Sequence, residues 1–213
     1  MGRDCRVGLG REPRDRLLRN RSANRREADR DHGASRLGKT VLWAGARDER
    51  IACVLASVSG EGGAALSRRD YGETVAHLVA PTRYPYQFAG NYQKWAGKMK
   101  QAPFDAHLII ALIAPRAVLL QTGNTDKWSD PYGEFLAAKA ATPVFALLGE
   151  KGIEEYSLPP PGKPLMNRLG YLMHDGGHGL VPTDWPVFLD FMQKHLKQYN
   201  AAEAIRPKQR RRK

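Results

Sequence analysis

The densest concentration of chemistry in the chain is Gly33-Ala34-Ser35-Arg36-Leu37-Gly38-Lys39-Thr40. It fits the pattern G-x-x-x-x-G-K-[ST]. In a phosphate-binding loop of that kind, backbone N–H groups and Lys39 would hold nucleotide phosphates and Thr40 would hold magnesium. Such a loop follows a strand, and Ala28 to His32 offers no apolar strand. It also needs an acid at the end of a later strand, but Ile51 to Val58 runs out into Ser59 and Gly60, and Asp126 trails its strand by five residues. The same octet reads equally as a nucleophile elbow, a Ser on a tight strand-to-helix turn. The usual G-x-S-x-G spacing is off by one place, with Leu37 at the last Gly position and Gly38 after it. The partners come in the order a serine hydrolase of this kind needs: Ser35, then Asp126 or Asp130 after a late strand, then His178 near the end. In that chemistry the His takes the Ser proton and the acid holds the imidazole in the right tautomer. Each residue also has an ordinary role open to it: Ser35 as a helix N-cap, Asp126 as a turn residue, His178 as a surface loop residue.

The elements that would position these groups can be read from periodicity. Arg36 to Ala46 carries helix formers with Leu37, Val41, Leu42 and Ala44 on or near one face, and Ile51 to Val58 is an apolar run of buried-strand type. Ser59 to Ala65 is Gly-rich loop, and residues 66–103 mix Arg, Tyr, Pro and Trp without a period, which predicts a long irregular segment. Asp105 to Ile113 reads as a helix stopped before Pro115, Ala117 to Gln121 as a buried strand, Gly123 to Asp130 as loop and Pro131 to Ala140 as helix. Pro159 to Pro164 is a connector, Tyr171 to Met173 a last strand, and Trp185 to Tyr199 an amphipathic helix with Trp185, Phe188, Leu189, Phe191, Met192 and Leu196 inward. Helices alternating with short apolar strands predict an α/β fold with a parallel sheet, whose ligands sit beyond the carboxyl ends of the strands.

The net charge of +12 over 213 residues mostly lies at the ends. The first 32 residues carry ten Arg against six acids, and Arg206 to Lys213 carries six basic residues and no acid, leaving the body near +2. Arg-rich ends give salt-dependent, sequence-independent affinity for phosphate, but no nucleic-acid recognition motif accompanies them. No apolar run reaches the length of a membrane span, and the Arg-laden start has no apolar segment of secretory type. Cys5 and Cys53 are too few for a disulfide framework.

Four strings, GASRLGKTVLWAGARDERIA, SGEGGAALSRRDYGET, LIIALIAPRAVLLQTGNTDKWSDPYGEFLAAK and GGHGLVPTDWPVFLDFMQKHL, closely resemble the bacterial branch of the glucuronoyl esterases, carbohydrate esterase family 15. The resemblance runs from about Gly33 to Leu196, and the phosphate-loop match then reads as coincidence. It implies an α/β-hydrolase fold and hydrolysis of the ester joining glucuronic acid on xylan to lignin alcohols, without a cofactor or metal. Position by position it implies Ser35 as nucleophile, Arg36 as a stabiliser of the oxyanion, Lys39 and Trp128 as substrate contacts, and His178 rather than His174 as base. Lys39 could otherwise be a solvated helix Lys, and Trp128 a loop aromatic packed on the core. Fungal members place their acid where this chain has Val58, so the acid expected here is Asp126, with Asp130 the alternative. Glu61 falls near the fungal position but three residues late, and reads otherwise as a solvent-exposed loop acid. The resemblance also implies action outside the cytoplasm, as a secreted or periplasmic protein, with glucuronoxylan or a lignin-carbohydrate ester as partner and none in the membrane.

The first 32 residues depart from that family, which has several strands before its elbow. Read one base out of frame, permitted codons for residues 1–32 spell an amphipathic helix and an apolar strand leading into Gly33. The expectation is therefore three segments: 1–32 out of frame or disordered, 33–199 the C-terminal part of an α/β-hydrolase domain lacking its N-terminal strands, and 200–213 a basic tail. A sheet short of strands exposes edges, and an elbow without its strand is not held in strained geometry, so the chain as written is expected to be poorly stable and weakly active or inactive.

Overall fold

The computed structural model describes residues 29–205, with side chains from Arg30 to Leu196. The expectations for residues 1–28 and for the basic cluster from Arg206 onward lie outside the described residues. The chain opens with strand β1 (Asp29–Ala34) and helix α1 (Arg36–Arg47), followed by β2 (Ile51–Ser57). Short helices α2 (Val75–Val79) and α3 (Gly90–Gln93) and three single turns of 3₁₀ helix fill the irregular stretch, before α4 (Ala106–Ala111). Then come β3 (Ala117–Gly123), α5 (Pro131–Leu147), β4 (Leu169–His174) and α6 (Asp184–Ile205). The boundaries expected at residues 32 and 199 thus fall inside β1 and inside α6.

All four strands are parallel, in the order β1-β2-β3-β4. β2, β3 and β4 are buried along their whole length, as strands covered on both faces should be. Alternate residues feed two cores. Val54, Ala56, Val118 and Leu120 meet α1, α4 and α5 on one face through Leu42, Ile110, Phe135 and Phe145. Cys53, Leu55, Ala117 and Leu119 meet Phe188 and Phe191 of α6 on the other. The result is a three-layer α/β/α sandwich. α1 lies close on the sheet because it presents Gly45 there: a Cβ at that position would meet Val54 Cγ2 at 2.5 Å.

β1 corrects the sequence-based reading of Ala28 to His32 as no strand. Its text, DRDHGA, has no apolar alternation, yet it pairs with β2 from Arg30 opposite Cys53 to Ala34 opposite Ser57. Backbone groups that the exposed edge of β2 would otherwise leave unpaired supply the drive, which a propensity-based reading does not see. The Ser35 turn therefore has its strand. Among the described residues no helix is long and apolar enough to cross a membrane.

Candidate active site

Parallel pairing lines up the carboxyl ends of the strands at Ala34, Ser57, Gly123 and His174, and the candidate residues lie in the loops beyond them or, for Arg36 and Lys39, in the first turn of α1. Ser35 is the single residue between β1 and α1, with φ 54° and ψ −121°, and its N–H donates to Ser57 O at 2.9 Å. A non-glycine residue in that region of backbone space is strained, and the strain is held by the strand and helix on either side. Two glycines make room. A Cβ on Gly33 would lie 2.3 Å from Leu37 O, and one on Gly38 would lie 2.7 Å from Ser57 O. The second glycine stands at 38 because that position faces the end of β2, whereas the Leu37 side chain is half exposed.

This geometry corrects the phosphate-loop alternative for Gly33 to Thr40. One residue between strand and helix leaves no run of loop N–H groups to wrap a phosphate, and Gly33 and Ala34 are already in the β1 ladder. Lys39 is committed elsewhere, its Nζ donating to Ser59 O at 2.6 Å and to Glu73 Oε2 at 2.9 Å.

His178 and Asp126 are brought together across 52 residues, Nδ1 to Oδ2 at 2.7 Å. Asp126 is buried, and its other oxygen, Oδ1, accepts from Ser129 N at 3.2 Å. Burial alone would push its carboxyl upward, but the hydrogen bonds from His178 and Ser129 outweigh it and hold the group below its ordinary value. The bond from Asp126 correspondingly raises His178 above 6.5, against the effect of partial burial. His178 is about half exposed, Ser129 Oγ lies 3.1 Å from the same Nδ1, and Nε2 makes no hydrogen bond among the described residues. The Ser35 hydroxyl likewise makes none, so the Ser35 to His178 link is not closed in this structure.

Asp130, the alternative acid, is used otherwise. Its carboxylate caps α5 by accepting from Gly133 N at 3.0 Å, and it pairs with Arg69 Nε at 2.7 Å. Glu61 corrects the reading of a solvent-exposed loop acid: it is 3% exposed and accepts from Ser67 Oγ, from Tyr92 O–H at 2.8 Å and from Gly62 N at 3.1 Å. Burial raises its carboxyl, opposed by those bonds and by the Lys39 charge. It braces the Gly-rich loop and does not touch His178. Arg36 is exposed at the first position of α1 and its guanidinium forms no ion pair among the described residues.

Trp128 is 41% exposed, and its indole N–H donates to Glu73 Oε1 at 3.2 Å. Glu73 is the residue that sequence reasoning missed. It joins the two predicted substrate contacts, Lys39 and Trp128, through its two oxygens, and its own N–H donates to Trp128 O at 2.7 Å. It sits in the aperiodic stretch, where no spacing signal marks it. Chemically the cluster offers an ammonium, a carboxylate and an indole face and N–H, a set suited to sugar hydroxyls and ring C–H groups. A mainly apolar cavity of about 460 Å³ opens beside Arg36 and Lys39 and runs along α1 past Trp43, Phe88 and Tyr92.

A model of the family described as glucuronyl esterase, fungi, matches residues 31–149. A carbohydrate esterase from an unknown prokaryotic organism is 43% identical over 176 residues, covering 80% of this chain and 40% of its own length. A 4-O-methyl-glucuronoyl methylesterase of Cerrena unicolor is 37% identical over 123 residues, 55% of this chain and 26% of that one. Among solved structures, a promiscuous carbohydrate esterase family 15 enzyme from a marine bacterial metagenome superposes with a TM-score of 0.86 at 38% identity. It is matched over 92% of this chain and 49% of its own. A glucuronoyl esterase of Solibacter usitatus gives a TM-score of 0.84 at 38% identity, with the same coverage. The chain thus spans half or less of the length of these relatives.

Proposed function

This chain belongs to the glucuronoyl esterases, carbohydrate esterase family 15, and from that premise we propose that it is a serine esterase cleaving glucuronic acid esters, with Ser35 as nucleophile, His178 as base and Asp126 as its orienting acid. The observation that carries the reading is the 2.7 Å bond between His178 and Asp126, together with a Ser35 held at φ 54° on a strand-to-helix turn at the same carboxyl-end edge of the sheet. Ser35 Oγ attacks the ester carbonyl carbon while its proton passes to His178 Nε2, the ring nitrogen left open by the Asp126 bond. Asp126 fixes the proton on Nδ1 and stabilises the imidazolium. The carbonyl oxygen, now negative, meets the Arg36 N–H, which as the first of α1 has no partner within the helix, and the Arg36 guanidinium. Collapse of the intermediate breaks the bond to the alcohol oxygen, which takes the proton from His178. Water, deprotonated by the same nitrogen, then releases the acid and restores Ser35.

Lys39, Glu73 and Trp128 bind the glucuronate ring through its hydroxyls. The relatives' names point to methyl esters of 4-O-methyl-glucuronic acid, and the family resemblance extends the proposed substrate to glucuronate esters of xylan with lignin alcohols. Purified chain should hydrolyse benzyl glucuronate and be labelled at Ser35 by a fluorophosphonate, both lost in Ser35→Ala. Absence of both Ser35-dependent hydrolysis and Ser35-dependent labelling would sink the proposal.

A further inference from the structure

Under the cluster of Lys39, Glu73 and Trp128 lies a carboxyl that the reaction above does not use. Glu134, in the first turn of α5, is fully buried. Its Oε1 accepts from Gly60 N at 2.7 Å and from Ser59 Oγ at 3.1 Å, and Ser59 Oγ accepts in turn from Ala64 N at 2.9 Å. Its Oε2 is buried with no hydrogen-bond partner. The Ser59–Gly60 turn is thus pinned from below by one side chain. From above, the same turn touches the sugar cluster: Ser59 O accepts from Lys39 Nζ at 2.6 Å, and a Cβ on Gly60 would stand 3.0 Å from Glu73 Oε2 and 3.6 Å from Lys39 Nζ. The backbone of Gly60 has φ 59°, so this turn is shaped for close approach on both sides.

We propose that Glu134 is a positioning residue for sugar recognition, setting the Ser59–Gly60 turn and, through it, the place of the Lys39 ammonium. The inference rests on the reading of Lys39, Glu73 and Trp128 as the sugar-binding groups. A bare hydrophobic residue at 134 would leave Gly60 N and Ser59 Oγ without acceptors in the core, and Lys39 without a fixed carbonyl.

The charge of this carboxyl also matters. Burial raises Glu134 to about 8, opposed by the Gly60 and Ser59 bonds and the Lys39 charge and assisted by Asp126. The charged or titratable groups around it are Lys39 from α1, Asp126 and Asp130 from the loop before α5, the latter paired with Arg69, Tyr171 from β4, and Glu73 through Lys39. Below that value the carboxyl is neutral and the turn is held by hydrogen bonds alone. Above it, a new negative charge under the turn draws Lys39 inward and away from a sugar hydroxyl, beside the charges of Glu73 and Asp126. Sugar binding therefore weakens in mildly alkaline solution.

Two measurements test this. The first needs no ligand: the amide resonance of Gly60 in the chain should shift in one step centred near pH 8, and the step should vanish in Glu134→Gln, which keeps the acceptor but cannot ionise. The second uses methyl 4-O-methyl-glucuronate as the probe on a Ser35→Ala background. Its affinity should fall about fivefold from pH 6 to pH 10, the scale of one ordinary net hydrogen bond. That fall should disappear in Glu134→Gln, while Glu134→Ala should bind the probe about fivefold more weakly at every pH. A Gly60 step that survives Glu134→Gln, or no step in the parent, overturns the inference. Equal affinity and pH dependence in all three chains does the same. If the parent binds no probe at all, the proposed function fails, and the Gly60 titration still decides the role of Glu134.

Discussion

Two His–Asp pairs stand four residues apart at and beyond the end of β4, and their surroundings differ. His174 Nδ1 lies 3.0 Å from Asp184 Oδ2, and His178 Nδ1 lies 2.7 Å from Asp126 Oδ2. Chemically the pairs are the same. His174 and Asp184, however, are 3% and 1% exposed, and the second ring nitrogen of His174 is occupied by Gly177 O at 3.1 Å. Gln121 packs against the same ring, and Asp184 also accepts from Val181 N at the start of α6. With both nitrogens engaged inside the fold, His174 has nothing to offer a substrate; it ties β4, the Gly176–Gly177 turn and α6 together. His178 is about half exposed and keeps Nε2 open. A catalytic histidine is recognised by the nitrogen that has no protein partner, not by the carboxylate on the other one.

The comparison can be broken by substitution. His178→Ala should lower kcat/KM on benzyl glucuronate by about a thousandfold, the loss of a general acid–base, with the urea midpoint unchanged. A large fall in the midpoint would put His178 in the structural class. His174→Ala should do the converse, leaving Asp184 buried without its partner at a cost of roughly 3 kcal/mol in unfolding free energy. Urea titration would measure it, and an unchanged midpoint would show that the inner pair holds nothing.

Asp126→Asn should reduce kcat by about a hundredfold and move the acidic limb of the pH–rate profile. The working base is the neutral imidazole, so activity is lost as pH falls through the His178 value, which lies above 6.5 because of Asp126. Removing that carboxylate moves the limb to lower pH. A limb that stays in place would assign the effect to another group. The smallest effect belongs to Trp128→Phe, which keeps the ring face and deletes the N–H to Glu73. KM should rise about fivefold with kcat unchanged. Steady-state kinetics would separate this from a change in kcat, which would move Trp128 into the chemical step.

Much of the scaffold follows from short patterns. Ile51 to Ala56 and Ala117 to Leu120 are unbroken apolar runs, and the strands found there are buried on both faces. Asp130 before Pro131 marks the start of α5, though the helix continues past the expected end at Ala140 to Leu147, through Pro143, because Ala141 and Phe145 still pack in the core. β1 was not readable, since its residues carry charge and its strand comes from pairing with β2. Glu73 and Glu134 were not readable either. One lies in a stretch without a period; the other looks like an acid at the start of a surface helix until the fold places it under Gly60.

By itself, the sequence determined the order Ser35, Asp126, His178, the alternation of helix and strand, and the resemblance carried by four strings around them. Those are properties of neighbours along the chain, where side-chain period and turn chemistry act over a few residues. Only the tertiary structure paired Asp126 with His178 and Asp130 with Arg69, set the surroundings of His174 apart from those of His178, buried Glu61 and joined Lys39 to Trp128 through Glu73. These pairings span tens of residues and arise when parallel strands align their carboxyl ends. Which atoms then meet depends on register and loop closure, which no local pattern encodes.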